Sequence, residues 1–119
     1  MGLDMYLGSD SHEFYWRKVN AVHRFFCEKH LAETGQELED CEEMEVQPQW
    51  LTELCSRIVS VLRWNHNAES LLPTQSGFFF GSTDYDKYYY QGLLLVLRDC
   101  VELLVDLDKD EKITYNAWW

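Results

Sequence analysis

The sequence lacks any apolar run near the roughly 20 residues that a membrane-spanning helix requires. Its longest apolar run, residues 93–97, is only LLLVL, which suits a piece of a buried helix. The first residues show no basic segment followed by an apolar stretch, so no signal peptide is predicted. C-x-x-C pairs are also missing, because the four cysteines are widely spaced. Without an export signal, these cysteines are expected to be free thiols in a reducing compartment, which favours the cytoplasm.

Positive charge is scarce. Ten lysine and arginine residues stand against 21 aspartate and glutamate residues, giving a formal net charge of −11. Charge of this sign disfavours direct binding to nucleic-acid phosphates or to anionic membranes, and it favours a partner with a basic surface. Apolar residues make up 46% and aromatic residues 15% of the 119 residues, which is enough for one small folded core.

Hydrophobic periodicity predicts a strand and two helices in the first half. Residues 1–7 alternate apolar and polar side chains, as a half-buried strand does. Residues 13–32 carry apolar side chains at helical spacing, and Ser11 is a candidate cap for this helix. A short strand is expected at the end of residues 36–46, and Pro48 suits the first turn of a second helix.

The second half is organised around residues 71–90, which read LLPTQSGFFFGSTDYDKYYY. Two glycines bracket the phenylalanines of residues 78–80, which predict a short strand. Thr83 with Asp86 three positions later predicts a capping box, so a third helix is expected over residues 84–105. Its apolar side chains cover a wide arc, which is typical of the central helix of a core.

The predicted fold class is α+β, in a single domain over residues 1–119. Gly92 inside the third helix costs about 1 kcal/mol relative to alanine, which predicts that another element packs closely there. Residues 111–119 alternate again and predict a last strand. The first and last strands are expected to pair in a small, largely antiparallel sheet, with short strands added, packed against three helices.

Eight side chains suggest a composite pocket between the first helix and the 71–90 segment. Aromatic walls with histidine, arginine and aspartate suit a small ligand or acid–base chemistry. Aromatic residues at helical spacing are nevertheless more often core residues whose polar tips are hydrogen-bonded. No pairing of a nucleophile with a base is identifiable, so no catalytic residue is predicted. The candidate pocket residues are Trp16, Arg17, Asn20, His23, Thr74, Tyr85, Asp86 and Tyr89.

One helix face could hold a metal ion. His23, Cys27 and His30 lie at positions i, i+4 and i+7, and Cys41 is a candidate fourth ligand. The chain lacks the paired ligands of structural zinc sites, so packing of a small buried cysteine is favoured. Neither a metal nor another cofactor is predicted.

Two further patterns imitate ligand-binding loops. Asp106, Asp108 and Asp110 alternate as at the start of an EF-hand, but Glu111 occupies the position of the required glycine. A solvated turn is therefore favoured. Residues 77–83, GFFFGST, precede a predicted helix start that could bind an anion, but the lysine of a P-loop is missing. A strand followed by a helix cap is favoured there.

Two acidic runs could present carboxylates at spacings that imitate nucleic-acid phosphates. They would then bind a basic groove on a partner protein, with strong salt dependence. The alternative is a pair of solvated runs that maintain solubility. The candidate contact residues are Glu37, Glu39, Asp40, Glu42, Glu43, Glu45, Asp106, Asp108 and Asp110.

Three segments resemble small proteins encoded by bacteriophages and prophages. They are GLDMYL at residues 2–7, FYWRKVNAVHRFF at residues 14–26 and LLPTQSGFFFGSTDYDKYY at residues 71–89, and the ending TYNAWW is similar too. Members of that family often carry a longer insertion after the first strand, which this chain lacks. The resemblance brings no catalytic residues with it. It implies a phage accessory protein that acts in the bacterial cytoplasm.

Composition and resemblance together favour a non-enzymatic protein that binds and inhibits a host factor. Small acidic phage proteins often inhibit host defence nucleases, including CRISPR effectors, so a basic, nucleic-acid-binding defence protein is the expected partner. The alternative is a small ligand-binding protein or enzyme that uses the candidate pocket. A structural or homodimeric phage component is a third interpretation.

Overall fold

A computed structural model describes residues 2–119, apart from the side chain of Asn65. The strands are β1 (Asp4–Gly8), β2 (Glu13–Arg17), β3 (Glu43–Val46) and β4 (Ile113–Trp118). The helices are α1 (Asn20–Thr34), α2 (Pro48–Arg63), α3 (Ala68–Leu71) and α4 (Lys87–Asp106), with a 3-10 turn at Asn65–Asn67. Met1, which the predicted first strand included, lies outside the described residues.

The four strands form one antiparallel sheet in the order β2-β1-β4-β3. The first and last strands pair at its centre, where Tyr6 lies opposite Asn116. Tyr6 also lies opposite Tyr15 on β2, and Val46 of β3 lies opposite Ile113 of β4. The predicted α+β class and the predicted pairing of the terminal strands are therefore confirmed.

The helices cover one face of the sheet. Met5 and Leu7 of β1 are fully buried, whereas the residues between them are only partly covered. Tyr115 of β4 is also fully buried, and its ring stacks on that of Phe26 in α1 at a centroid distance of 4.2 Å. Full burial of such side chains stabilises the fold by about 1.5–3 kcal/mol each, which holds the helices against this face.

Residues 13–17 form β2, so the predicted helix over residues 13–32 begins too early. Phe14 and Trp16 are covered while Glu13, Tyr15 and Arg17 are exposed, which is the two-residue period of a strand. Aromatic residues favour a pleated, half-buried surface, and here pairing with β1 outweighs the helical spacing.

The connection from β2 to α1 is a sharp turn at Lys18, whose φ is 56°. α1 then begins at Asn20 and ends at Thr34, with Gly35 in the left-handed conformation that closes many helices. Ser11, the predicted cap of this helix, lies instead in the turn between β1 and β2. Its hydroxyl donates a hydrogen bond to Glu111 Oε2 at 2.6 Å.

Residues 78–80 form a turn, so the predicted aromatic strand is wrong. The backbone N–H of Phe80 donates to the carbonyl of Gly77 at 3.1 Å, and Phe79 has a φ of 68°. Phe80 is buried, whereas 82% of Phe78 is exposed. The three phenylalanines fail to form a strand because their backbone turns back on itself instead of pairing with the sheet.

The predicted capping box at Thr83 is also wrong. Asp86 is itself the cap of α4, because its Oδ1 accepts hydrogen bonds from the backbone N–H groups of Tyr88 and Tyr89 at 3.1 and 3.2 Å. The helix therefore begins at Lys87 rather than near residue 84. An aspartate can cap by accepting these N–H groups directly, so no residue at position 83 is needed.

α4 buries a narrower face than its composition predicts. Val96, Cys100 and Leu103 are buried, but Leu94 and Val101, which belong to the same wide apolar arc, are 55% and 45% exposed. Part of the wide apolar arc of α4 therefore faces solvent instead of the core. Val19 in the turn before α1 does contact α4 at Gly92, but an added Cβ there would lie at an ordinary van der Waals distance of 3.4 Å from its side chain, so a close approach that requires glycine stays a prediction.

Candidate functional site: an acidic edge and two cavities

The first acidic run ends in β3, which lies at one border of the sheet. Met44 and Val46 of β3 point into the core, so Glu43 and Glu45 alternate outward and are exposed. Charged outward residues on an edge strand also discourage pairing with a second sheet. These two carboxylates are therefore open to solvent at the border of the fold.

The loop before β3 holds the rest of the first run beside the end of β4. Asp40 Oδ1 accepts a hydrogen bond from the backbone N–H of Trp119 at 2.8 Å, and the backbone N–H of Cys41 donates to β4 at 2.9 Å. Glu42 Oε1 accepts the backbone N–H of Glu39 at 2.9 Å. These contacts fix the backbone while leaving most of the loop's carboxylates exposed.

The second acidic run adjoins the opposite end of β3. Asp106, Asp108 and Asp110 are exposed in the connection from α4 to β4. β4 then starts at Ile113, which pairs with Val46 at the end of β3. The connection that carries this run also contacts the turn between β1 and β2, through His12 and Ser11. We term the two runs together the acidic edge. It consists of Glu37, Glu39, Asp40, Glu42, Glu43, Glu45, Asp106, Asp108 and Asp110.

Five lysine and arginine side chains among residues 2–119 pair with acids elsewhere in the fold, whereas Lys109 and Lys112 lie in or beside the second run. The five ion pairs are Arg17–Asp4, Arg24–Glu28, Lys29–Glu53, Arg57–Glu53 and Arg98–Asp99. The acidic edge meets two histidines, with His12 Nε2 3.1 Å from Asp106 Oδ2 and His30 Nε2 3.7 Å from Glu42 Oε2. In this part of the chain, no lysine or arginine forms an ion pair with any of the nine carboxylates.

Glu111 fixes the turn that carries the second run. Its carboxylate accepts hydrogen bonds from the hydroxyl of Ser11 at 2.6 Å and from its backbone N–H at 3.1 Å. The hydrogen bonds from Ser11, and then from Ser9, lower the pKa of Glu111 to about 2. The backbone N–H of Asp108 also donates to Glu111, at 3.3 Å. Glu111 thus holds the loop from within, as a turn residue and not as a calcium ligand.

Six of the eight candidate pocket residues line one cavity of about 470 Å³. It lies between the end of β2, the start of α1 and the first turns of α4, and its volume is within the usual range for small-molecule sites. His23 lines a second cavity instead, and Tyr85 is outside the lining of both. The six residues that share the first cavity are Trp16, Arg17, Asn20, Thr74, Asp86 and Tyr89.

Most polar atoms of these side chains are already bonded within the fold. Trp16 Nε1 donates to Asp99 Oδ2 at 2.8 Å, and the hydroxyl of Tyr89 donates to the carbonyl of Leu72 at 2.8 Å. Burial raises the pKa of Tyr89, so its hydroxyl keeps its proton. Asp86 is occupied as the cap of α4. These side chains therefore shape the wall of the cavity more than they supply reactive groups.

Asn20 holds the loop that closes the cavity. Its Nδ2 donates to the carbonyls of Phe80 and Ser82 at 3.1 and 3.0 Å, and its Oδ1 accepts the backbone N–H of Gln75 at 2.9 Å. All three partners belong to the loop between α3 and α4. The buried amide is thus a structural brace, and buried polar groups are normally bonded in this way.

A second cavity, of about 600 Å³, contains a thiol and an imidazole that the sequence suggested only as metal ligands. Cys27 Sγ lies 3.3 Å from His23 Nε2, one helical turn apart on α1. His23 Nδ1 lies 2.6 Å from the hydroxyl of Tyr115 on β4. The spacing of His23 and Cys27 and the inward direction of Tyr115 are visible in the sequence, but the contact between them is not.

The thiol of Cys27 is not activated by this histidine. Burial lowers the pKa of His23 to about 4. Burial, and then the carboxylates of Glu28 and Glu37, raises the pKa of Cys27 to about 11. Transfer of the thiol proton to so weak a base is strongly unfavourable, whereas catalytic cysteines have depressed pKa values. The pair therefore supports packing of the core and not nucleophilic catalysis.

The proposed metal face does not assemble. His30 lies near Glu42 while His23 bonds Tyr115, and no group of three or more His, Cys, Asp or Glu side chains within residues 2–119 is arranged to hold a metal ion. The glycine-rich residues 77–83 do not lead directly into a helix, because α4 begins only at Lys87. Neither pattern therefore builds the ligand geometry that its chemistry requires.

Comparisons with known proteins found no match for the chain. The sequence matches no protein-family model, and no curated protein and no solved structure matches it. Among the helices of residues 2–119, none combines the length and apolarity that crossing a membrane requires. The acidic edge and the cavities are therefore the structural features that bear on function.

Proposed function

We propose that this chain is an acidic, non-enzymatic phage or prophage protein that binds and inhibits a basic host protein in the bacterial cytoplasm. The proposed partner is a defence protein, of the CRISPR type or another class that binds nucleic acid. The observation that carries the proposal is the acidic edge, where nine carboxylates form no ion pair with lysine or arginine among residues 2–119.

The geometry of β3 suits a partner that normally binds phosphates. Residues two apart on a strand lie about 6.6 Å apart, so Glu43 and Glu45 present charges in a row on a rigid support. The acidic loop leads directly into β3, and the second acidic run lies in the connection that precedes β4. A basic groove on the partner would be attracted to these carboxylates over several ångströms. Once occupied by them, the groove would bind its nucleic acid less well.

The test is capture of a partner from bacterial lysate at rising salt. Wild-type protein is compared with Glu39→Gln/Glu43→Gln/Glu45→Gln, which removes three charges from the acidic edge. The matched control is Glu69→Gln/Asp84→Asn/Glu102→Gln, which removes three exposed charges elsewhere. We expect the wild type and the control to capture the same basic protein and the edge variant to lose it. Failure to capture any basic protein, or capture that salt does not affect, contradicts the proposal.

A second candidate function is small-ligand binding in the cavity of about 470 Å³, which the volume and the partly exposed wall favour. Leu95 lines this cavity from α4 and is 48% exposed. A metabolite collection screened by thermal shift should then contain a ligand that stabilises the wild type. That shift should vanish in Leu95→Trp, which fills the cavity. A collection with no stabilising compound counts against this function.

We also propose that two copies can associate through α4. Leu94, Val101 and Val105 are 55%, 45% and 77% exposed along this helix, which is costly surface for a monomer. Light scattering should report a dimer that Val101→Glu converts to a monomer. A monomer at all accessible concentrations rules this association out.

A further inference from the structure

The face of the sheet that points away from the helices is open and partly aromatic. Residues on this face alternate with the buried ones in every strand. We term its aromatic and acidic part the open sheet face. It consists of Asp4, Tyr6, Glu13, Tyr15, Glu43, Glu45 and Trp118, and Arg17 lies on the same face opposite Asp4.

Two aromatic rings are in contact there, and a third lies on the neighbouring strand. Tyr6 lies opposite Tyr15, with ring centroids 5.3 Å apart. Trp118 lies two residues beyond Asn116, the partner of Tyr6 on β4, and such diagonal neighbours are about 7–8 Å apart. Tyr15 is 52% exposed and Trp118 is 54% exposed. Tryptophan and tyrosine on a rigid support are typical anchors of protein interfaces.

Carboxylates lie within and beside this aromatic surface. Asp4 lies opposite Trp118, but its Oδ1 already accepts a hydrogen bond from the hydroxyl of Tyr15 at 2.6 Å and lies 3.7 Å from Arg17 Nη1. The carboxylates that this face offers to a partner are therefore those of β3. Glu43 lies opposite Asn116, in the same row as Tyr6, and Glu45 lies one row further. Because Glu43 and Glu45 also belong to the acidic edge, the open sheet face and the acidic edge are continuous.

We propose that the open sheet face binds arginine side chains of a basic protein segment. The planar guanidinium stacks on aromatic rings and bonds a carboxylate through two N–H groups, which the more strongly hydrated ammonium of lysine does less well. The inference rests on the proposed function and adds the surface and the basic side chain that give specificity. Nucleic-acid bases also stack on aromatic rings, but the exposed carboxylates of Glu43 and Glu45 repel phosphates.

Labelled octa-arginine and octa-lysine peptides test the inference by fluorescence anisotropy at 50 and 200 mM salt. We expect the wild type to bind octa-arginine several-fold more tightly. Each exposed cation–π contact accounts for about 2- to 5-fold in affinity, so Tyr15→Ala/Trp118→Ala should weaken octa-arginine binding about 5- to 20-fold. The matched control, Tyr88→Ala/Trp64→Ala, removes one exposed tyrosine and one exposed tryptophan elsewhere and should change the affinity less than about 2-fold.

Two single variants keep the test independent of folding. Tyr15→Phe retains the ring and should bind as the wild type does, and Trp118→Gln alone should show about half of the double variant's effect on a logarithmic scale. Equal affinity for the two peptides overturns the inference, as does an unchanged affinity in Trp118→Gln. Tighter binding of a single-stranded oligothymidine than of octa-arginine also overturns it, in favour of a nucleic-acid surface.

A further variant separates failure of this inference from failure of the proposed function. Glu37→Gln/Glu39→Gln removes charges of the acidic edge that lie outside the open sheet face. If both peptides bind equally and this variant weakens both, the acidic edge acts by charge alone and only the inference fails. If neither peptide shows salt-dependent binding, the proposed function fails as well.

Discussion

The hydroxyl of Tyr115 lies 2.6 Å from Nδ1 of His23, and both side chains are buried where the sheet meets α1. Burial raises the pKa of Tyr115 well above its ordinary value, so the phenol keeps its proton. Among the described hydrogen bonds of this phenol, His23 Nδ1 is the acceptor, so we assign the imidazole proton to Nε2. Nε2 in turn faces Cys27 Sγ at 3.3 Å, and the neutral imidazole is thereby fixed in one orientation.

This buried histidine makes the stability depend on pH. The pKa of His23 is about 4 in the folded state and about 6.5 when it is unfolded, so the unfolded chain binds more protons between these values. The stabilisation is complete above pH 6.5 and is lost progressively as the pH falls to 4. We expect the free energy of unfolding to drop by about 2–4 kcal/mol from this group.

Urea unfolding at pH 7.5 and pH 4.5 measures the effect, with His23→Gln as the comparison. The glutamine cannot be protonated but can still accept a hydrogen bond from Tyr115. The wild type should lose more stability than the variant between the two pH values. Equal losses would show that His23 titrates normally in the fold.

Mutation can distinguish Asp86 from Thr83 as the residue that caps α4. Asp86→Ala should lower the free energy of unfolding by about 1 kcal/mol, because two backbone N–H groups lose their acceptor. Thr83→Ala and Asp84→Ala should each change it by less than about 0.5 kcal/mol. Urea titrations of the three variants measure this, and a larger cost for Thr83→Ala would restore the capping box that the sequence suggested.

Asn20 should be among the most sensitive polar residues of the fold. Asn20→Ala removes three hydrogen bonds to the loop between α3 and α4, so we expect a loss of about 2–3 kcal/mol in the free energy of unfolding. Amide hydrogen exchange should accelerate at Gln75, whose N–H loses its acceptor. Asn116→Ala on the outer side of the sheet is the control and should be nearly neutral. An unchanged exchange rate at Gln75 would contradict the role of Asn20 as a structural brace of this loop.

Ser11 should control the acidity of Glu111. Ser11→Ala removes the hydrogen bond that contributes most to the low pKa of Glu111, which should rise from about 2 towards its ordinary value of 4.5. An NMR titration of the Glu111 carboxyl carbon measures the change, and Ser70→Ala serves as a distant control. A pKa that stays near 2 in Ser11→Ala would assign the effect to other donors.

The sequence predicted the elements whose periodicity was unambiguous. The terminal strands alternate cleanly, and α2 begins at Pro48 as predicted. Residues 13–17 satisfied both the helical and the strand period, and only pairing with β1 decided between them. A five-residue segment is too short for periodicity alone to separate the two. Tertiary pairing is not visible in local spacing, which is why this error occurred.

Prediction of the candidate sites was limited in the same way, because local spacing carries no information on contacts between distant residues. Local spacing suggested that Trp16 and Asn20 share a surface, and they do line one cavity, but from a strand and a helix. It could not show that Asp99 binds the indole of Trp16 from α4. The position of the first acidic run beside the end of β4 also depends on the register of β3 with β4, which no local pattern encodes.

The central claim, that the acidic edge binds a basic partner, is tested most directly by the salt dependence of capture from bacterial lysate. For the wild type, the affinity for the captured protein should fall steadily as salt rises. Glu39→Gln/Glu43→Gln/Glu45→Gln should bind about 10-fold more weakly and depend less on salt, because each lost charge contributes about 0.5 kcal/mol. Identical affinity and salt dependence in the wild type and this variant would contradict the claim.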